Sequence, residues 1–338
     1  MWVYKLLCLH ASLVCLLVGC TSSAQPPQAH GPEPSSVQLR LASASYPPYV
    51  DTADHPRAAL DLVATALARA GYIAKNEIVP LDAVVEGLRA DTYDGSAALW
   101  RSEEREQFLL YSDALLENRL LLVGQKGSDV SAASLSELKA KKVGIVTDYA
   151  YGPELDQAKE PVFVRGTSTE DNLRALLRGE LDYVIADALV VHHLQQQFPQ
   201  QTREKLSAGS KPLIKRTLHF AVRKSFPGAP GIIENFNRQL ATMLADGSYN
   251  DALHVDWVLA DIDKDGTAEL VAVGDRLGAD PPGSGYRPMG PEGGATPARF
   301  VVKGVAYDSW QAVPDEYKTP SQAHSDKPGT LRASVFEF

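Results

Sequence analysis

The chain has 338 residues and a net charge of −9 at pH 7. That length allows two domains, each with its own core, and the negative balance argues against a nucleic-acid partner. Its three cysteines, Cys8, Cys15 and Cys20, all lie near the N-terminus. The rest of the chain must therefore be held by packing rather than by disulfides.

Lys5 precedes an apolar run from Leu6 to Val18. The run is too short for a membrane-spanning helix and suits a signal-peptide core. It closes in Leu17-Val18-Gly19-Cys20, which resembles a bacterial lipobox. The resemblance implies cleavage before Cys20 and lipid attachment to that residue; an ordinary signal peptide and an anchor helix are the alternatives. Thr21 resembles the residue found after the lipidated cysteine in outer-membrane lipoproteins. The expected location is the periplasmic face of a bacterial envelope, lipid-anchored, with the outer membrane favoured over the inner. Residues 1–19 then form the signal peptide. Residues 20–36, rich in Pro, Ser, Gln and Ala, form a flexible tether.

Order is expected from Val37. Gln38 to Ala42 alternates like a strand, and Pro47 and Pro48 stop it. Leu60, Val63 and Leu67 carry a helix from Ala58 to Ala70, ended by Gly71. A second helix is expected from Leu81 to Ala90, then buried strands at Ser96–Leu99 and Leu120–Val123. Leu135–Ala140 reads as a short helix and Lys142–Val146 as a strand. Pro161–Arg165 is a strand, Thr169–Arg178 a helix and Leu181–Ala186 a strand. Ser168 or Thr169 can cap that helix, with Glu170 and Asp171 in its first turn. A strand returns at Leu218–Val222, followed by an amphipathic helix from Ile232 to Leu244. This alternation predicts α/β layers. After Trp257 long helical patterns stop. Gly274 to Pro297 reads as a linker, Phe300–Val302 and Val305–Trp310 as possible strands, and the chain from Ser321 as loose.

The stretch from Tyr93 to Arg105 puts Ser102 three residues before Arg105, just beyond a small-residue strand. A guanidinium there can grip a carboxylate with two parallel hydrogen bonds, while a hydroxyl and backbone amides take the remaining lone pairs. The alternative is a surface arginine paired with Glu103 or Glu104. Arg101 is either a second anion donor or part of a rim salt bridge.

Several further matches follow in order: Tyr46-Pro47-Pro48-Tyr49, Tyr93-Asp94-Gly95, Tyr111-Ser112-Asp113, Val143-Gly144-Ile145-Val146 before Tyr149, Leu181-Asp182 before Asp187, and Asp246-Gly247-Ser248-Tyr249. Together the span Val37–Asp256 resembles the periplasmic solute-binding proteins of polar-amino-acid transporters. The resemblance implies a two-lobed class II fold that closes on a ligand, with residues 37–124 and 218–256 as lobe 1 and 125–217 as lobe 2. A small β-rich or irregular extension would occupy 257–338. The lobes would be joined near Gly124–Ser128 and Pro212–Thr217.

Carried over residue by residue, Arg105 matches the ligand-carboxylate arginine and Asp187 the ligand-ammonium carboxylate; the alternative for Asp187 is capping the next helix. Tyr46 matches an aromatic that covers the ligand, or is a packed turn residue. Trp100 stacks on the ligand or fills the core. Ser102 and Tyr149 complete the expected ligand set. The chain departs from its relatives at Asp148-Tyr149-Ala150, where a Gly followed by a hydroxyl residue is usual, and it is one residue short between Asp94 and Arg105. The ligand expected is an amino acid or similar small carboxylate, docking first on Arg105 and then bridging to Asp187.

Asp261-Ile262-Asp263-Lys264-Asp265-Gly266-Thr267-Ala268-Glu269 is a second chemical signal. Oxygen ligands at alternating positions, with Gly for a sharp turn, suit calcium. Position twelve of an EF-hand would be Ala272, so that arrangement is disfavoured. The loop instead resembles strand-joining calcium loops of integrin-like and propeller repeats. That likeness implies side-chain ligation by Asp261, Asp263, Asp265 and Glu269 and a carbonyl from Thr267, in a structural role. An acidic hairpin turn is the alternative.

The leading expectation is a non-enzymatic, lipid-anchored receptor serving an ABC permease or a sensor. Two enzyme alternatives exist. One resembles the binding-protein-like dehydratases that act on cyclohexadienyl acids, for which Asp187, Glu154 or His219 would supply acid or base; ligand contact, a solvated loop and strand packing are the alternatives for the three. The other resembles membrane-bound lytic transglycosylases, which fuse this module to a catalytic domain, but the tail has no lysozyme-like helical pattern. A third class is an envelope adaptor with a vestigial cleft.

Overall fold

Alternating apolar residues make β1 (Gln38–Ser43), which buries Leu39 and Leu41 against the sheet's neighbours. The computed structural model describes residues 37–318, apart from 199, 201, 254, 273–276, 279, 283–285 and 290–298. The expected signal peptide, lipidated Cys20 and tether lie outside the described residues, as do much of the expected 274–297 linker and the tail from Ser321.

The first lobe follows the expected order. Helix α1 (Ala58–Arg69) buries Leu60, Val63 and Leu67. It leads into β2 (Ile73–Ile78), parallel to β1 and unexpected from sequence. Helix α2 (Leu81–Arg89) buries Val84 and Leu88. Strand β3 (Gly95–Trp100) runs parallel to β1, with Leu41 beside Gly95. A Cβ on Gly95 would lie 2.3 Å from the Ala221 carbonyl oxygen, so only glycine fits there. Short α3 (Glu103–Glu106) and β4 (Leu109–Tyr111) follow.

Strand β5 (Leu116–Gln125) leads into the second lobe. That lobe holds β6 (Lys142–Val146), α4 (Pro153–Asp156), β7 (Val162–Gly166), α5 (Thr169–Leu177), β8 (Tyr183–Asp187) and α6 (Ala188–Gln197). The Ser168 hydroxyl accepts from the Asp171 amide at 3.1 Å and caps α5, as its type and position predict. Leu135–Leu138 is a 3-10 turn.

Strand β9 (Leu206–Arg223) runs back through both lobes for 18 residues, far longer than the expected Leu218–Val222. The sheet order is β2-β1-β3-β9-β5-β8-β6-β7, with β4 also on β9. Two antiparallel strands, β5 and β9, therefore join the lobes. Residues Leu120–Gly124 of β5 already pair with Asp187–Tyr183 of β8, ahead of the crossing expected at Gly124–Ser128. The β5–β9 register shifts around Leu121 and Pro212, where proline cannot donate to the ladder.

Helices α7 (Ala229–Asp246) and α8 (Ser248–Leu253) pack on α1 and close the first lobe. The extension forms a second sheet, β10-β11-β12-β13, from Trp257–Ala260, Glu269–Ala272, Phe300–Val302 and Val305–Tyr307. Trp257, Leu270, Val302 and Trp310 form its core. Trp310 opens a 3-10 turn rather than prolonging β13. Tyr286 instead enters the main core. The Glu117 amide of β5 donates to the Pro288 carbonyl at 2.6 Å, so the extension is bonded to a lobe-joining strand. Among the described residues no helix is long and apolar enough to cross a membrane.

Candidate functional site

The site lies where the end of β3 meets the loop after β6. Trp100 ends β3, and the Ser102 hydroxyl accepts from the Arg105 amide at 3.3 Å, capping α3. That cap starts the turn carrying Arg105 and turns its side chain inward. Arg105 is 7% exposed, despite four charged neighbours in sequence. Its Nη1 donates to the Trp100 carbonyl at 3.2 Å and its Nη2 to the Asp148 carbonyl at 3.0 Å. One acceptor belongs to each lobe. Among the described residues Arg105 has no carboxylate partner. Burial lowers its pKa from the ordinary guanidinium value, opposed by its neighbours Tyr111, Glu104 and Asp148.

The surface-arginine alternative is therefore not what the structure contains. Glu104 pairs with Arg89, and Arg101 pairs with Glu106 on the rim at 2.8 Å.

An aromatic cluster surrounds Arg105. Trp100 and Tyr149 meet edge-on with centroids 5.1 Å apart, Tyr46 lies 5.8 Å from Tyr149, and Tyr151 is 5.7 Å from Trp100. Tyr46 and Trp100 come from the first lobe, Tyr149 and Tyr151 from the second. Tyr46, Trp100, Tyr149 and Arg105 line an inner cavity of about 40 Å³, room for a few waters. Arg105 and Tyr149 also line an adjoining open groove of about 850 Å³ that carries Asp82, Glu103 and Asp148.

Asp187 sits deeper and is 3% exposed. It ends β8 and caps α6 through the Leu189 and Val190 amides, at 2.9 and 3.3 Å. The Tyr49 hydroxyl donates to the same oxygen at 2.8 Å. The other oxygen accepts from Asn118 Nδ2 at 3.2 Å and the Arg119 amide at 3.1 Å. Five protein donors thus converge on the carboxylate, which matches the capping alternative. Burial raises its pKa, while the Tyr49 and Asn118 bonds oppose the rise. Trp100 Nε1 donates to Asn118 Oδ1 at 2.7 Å, which ties the aromatic cluster to this network.

Sequence reading missed Asn118 and the role of Tyr49. The Tyr46-Pro47-Pro48-Tyr49 turn gave one signal for Tyr49; nothing local marks Asn118. The groups weighed as acid or base all have partners. Glu154 pairs with Arg216, and the His219 ring nitrogens contact the Ser112 carbonyl and the Thr217 hydroxyl.

In the extension, carboxylate oxygens of Asp261, Asp263 and Asp265 lie within 4.8 Å of one another. Glu269 is fully buried and faces inward instead. It accepts from Arg299 Nη2 at 2.7 Å and from the Ile262 amide at 3.2 Å. The same Arg299 nitrogen donates to Asp263 at 2.6 Å. The Thr267 amide donates to Asp265 at 2.8 Å.

No protein-family model and no curated protein matches the sequence. Solved structures do. An ancestral arginine-binding protein bound to arginine aligns with a TM-score of 0.55 at 23% identity, over 64% of this chain and 96% of that one. The GluR0 ligand-binding core from Nostoc punctiforme, in complex with L-glutamate, gives 0.53 at 18% identity, over 63% and 96%. A histidine kinase sensor domain with similarity to periplasmic binding proteins gives 0.56 at 17% identity, over 64% and 94%. The chain has the two-lobed α/β fold of periplasmic binding proteins, with a β-rich C-terminal extension beyond it.

Proposed function

We propose that this protein is an extracytoplasmic receptor that captures a small carboxylate, of the amino-acid type or related to it, between its lobes. One observation carries the reading: Arg105 is a buried guanidinium with backbone carbonyls for partners and, among the described residues, no carboxylate. A buried cation without a counter-ion is costly unless an anion completes it. A ligand carboxylate would take up the fork of donors, and contact with both lobes would favour the closed state. The solved structures of like fold, which include amino-acid-bound binding proteins and a sensor domain, support this class. Delivery to a permease or a sensor is part of the same proposal. A thermal-shift screen of amino acids and small carboxylates tests it. A rise in melting temperature without turnover of the hit supports a receptor; turnover would make the protein an enzyme, and no hit would favour an adaptor.

Membrane attachment through lipidated Cys20 belongs to the proposal and rests on the Leu17–Cys20 sequence. Mass spectrometry of the mature N-terminus, with fractionation of Cys20→Ala, tests it. Release of that variant from the membrane is the expected result.

Calcium is a further, structural part. The converging Asp261, Asp263 and Asp265 carboxylates favour it, with the Thr267 carbonyl as a further ligand; Glu269, turned inward onto Arg299, would join only on leaving that partner. Arg299 shares Asp263 and Glu269 and would compete with the ion.

A further inference from the structure

We infer that the C-terminal extension is a hinge clamp: residues 286–288 grip β5 where it crosses between the lobes and keep the ligand-free protein closed. The inference takes from the proposed function only that the lobes open and close.

Strand pairing places the crossing within three residues. On β9, pairing with the first lobe ends at Leu218, which has Trp100 of β3 on one side and Leu116 of β5 on the other. Pairing of β5 with β8 of the second lobe begins at Leu120. Between these points Glu117–Arg119 pair with Lys215–Thr217 of β9 alone. Among the described strands the lobes are thus joined there by a two-stranded ribbon. Hinge rotation concentrates its backbone torsion changes in a few such residues.

The extension takes hold of this ribbon. The Glu117 amide donates to the Pro288 carbonyl at 2.6 Å, and Arg119 Nη2 donates to the Arg287 carbonyl at 3.4 Å. Tyr286, two residues earlier, is 4% exposed and packs in the main core. Burial raises the pKa of its hydroxyl, with Asp187 adding to the rise and Arg119 opposing it, so the ring sits among the charged groups of the crossing.

The other end of the clamp is fixed as well. The Tyr286 amide donates to the Trp257 carbonyl and the Leu259 amide to the Tyr286 carbonyl, both at 2.7 Å, which joins the segment to β10. The extension's sheet is in turn bonded to the first lobe. Asn250 of α8, fully buried, donates to the Val271 carbonyl of β11 at 2.7 Å. Rotation at Glu117–Arg119 would therefore pull β5 off Pro288 or draw Tyr286 out of the core. The setting held is the closed one, in which Tyr49 reaches Asp187 and Arg105 reaches the Asp148 carbonyl across the lobes.

Spin-label distances test the clamp in the full, ligand-free chain with its three native cysteines changed to Ala. Labels at Asp82→Cys and Gln157→Cys report on the lobes from exposed positions on the walls of the outer groove. Tyr286→Ala removes the buried ring, and Glu117→Pro removes the amide donor; Glu117→Ala keeps that donor. Each is first shown to unfold cooperatively. Wild type and Glu117→Ala should give one short distance, and Tyr286→Ala and Glu117→Pro should each add a longer one. Calorimetry of the unlabelled proteins should show the tightest-binding carboxylate weakened at least threefold in those two, because binding must then close the lobes. A single unchanged distance in every folded variant, or opening of Glu117→Ala as far as Glu117→Pro, would overturn the clamp. Longer distances in Tyr286→Ala and Glu117→Pro, with no carboxylate bound by any of the proteins, would uphold the clamp and overturn carboxylate capture.

Discussion

The Tyr49 hydroxyl donates to the Asp187 carboxylate at 2.8 Å, joining the turn after β1 to the end of β8. Asp187 therefore ties three elements together, because the same carboxylate caps α6 and receives Asn118 from β5. Hydrogen bonds to a charged acceptor contribute about 1.5–3 kcal/mol. Tyr49→Phe removes one of five donors without changing the packed ring. A loss of about 2 kcal/mol in urea unfolding is expected. Unchanged stability would mean that Asp187 gains nothing from this bond.

Asp94 anchors the Tyr93-Asp94-Gly95 segment. Arg40 reaches its two oxygens at 2.8 and 3.2 Å, and Arg223 lies 3.5 Å away. Burial pushes the Asp94 carboxyl up, but the Arg40 hydrogen bonds and the two positive charges outweigh this and hold it below 3.8. A depressed folded pKa stabilises above the unfolded value, and that contribution is lost as pH falls through the folded value. Asp94→Asn should cost about 3 kcal/mol near neutral pH, at the low end for a broken buried pair, since Arg223 keeps Asp91 and the Tyr93 carbonyl. The gap to wild type should narrow as pH drops below about 4. Urea titrations at several pH values check both; a gap that widens on acidification would contradict the sign.

Arg299 sits where the acidic turn of the extension needs positive charge. If calcium binds as proposed, the wild-type melting temperature rises in calcium relative to chelator. Arg299→Gln frees Asp263 and Glu269, so it should melt lower in chelator and gain more from calcium. Identical melting in calcium and chelator for both proteins would remove the metal from the extension.

The parts of the fold legible in sequence are those set by local signals. The Ser168 cap, the apolar stripe of α1 and the buried residues of β6 each depend on neighbours within a few positions. Strand β2 escaped because it is an edge strand with mostly exposed side chains, so no apolar alternation marks it. Strand β9 was underestimated because Pro212 reads as a stop, yet a register shift lets the ladder continue past it. In the site, Arg105 was legible as a candidate anion grip, with Ser102 three residues before it. Ser102 was read as a ligand contact, however, and its role as the cap that starts the turn of Arg105 was not foreseen. Nor was the saturation of Asp187. Its partners Tyr49 and Asn118 lie 138 and 69 residues away, and only the folded chain brings them together.

Carboxylate capture by Arg105 is tested most directly by calorimetry of the tightest-binding carboxylate on wild type and Arg105→Ala, each first shown to unfold cooperatively. Truncating one partner of a buried charge pair costs about 2–5 kcal/mol, so Kd should rise about thirtyfold or more. Equal affinity in the two proteins would contradict the assignment of Arg105 as the ligand's anchor.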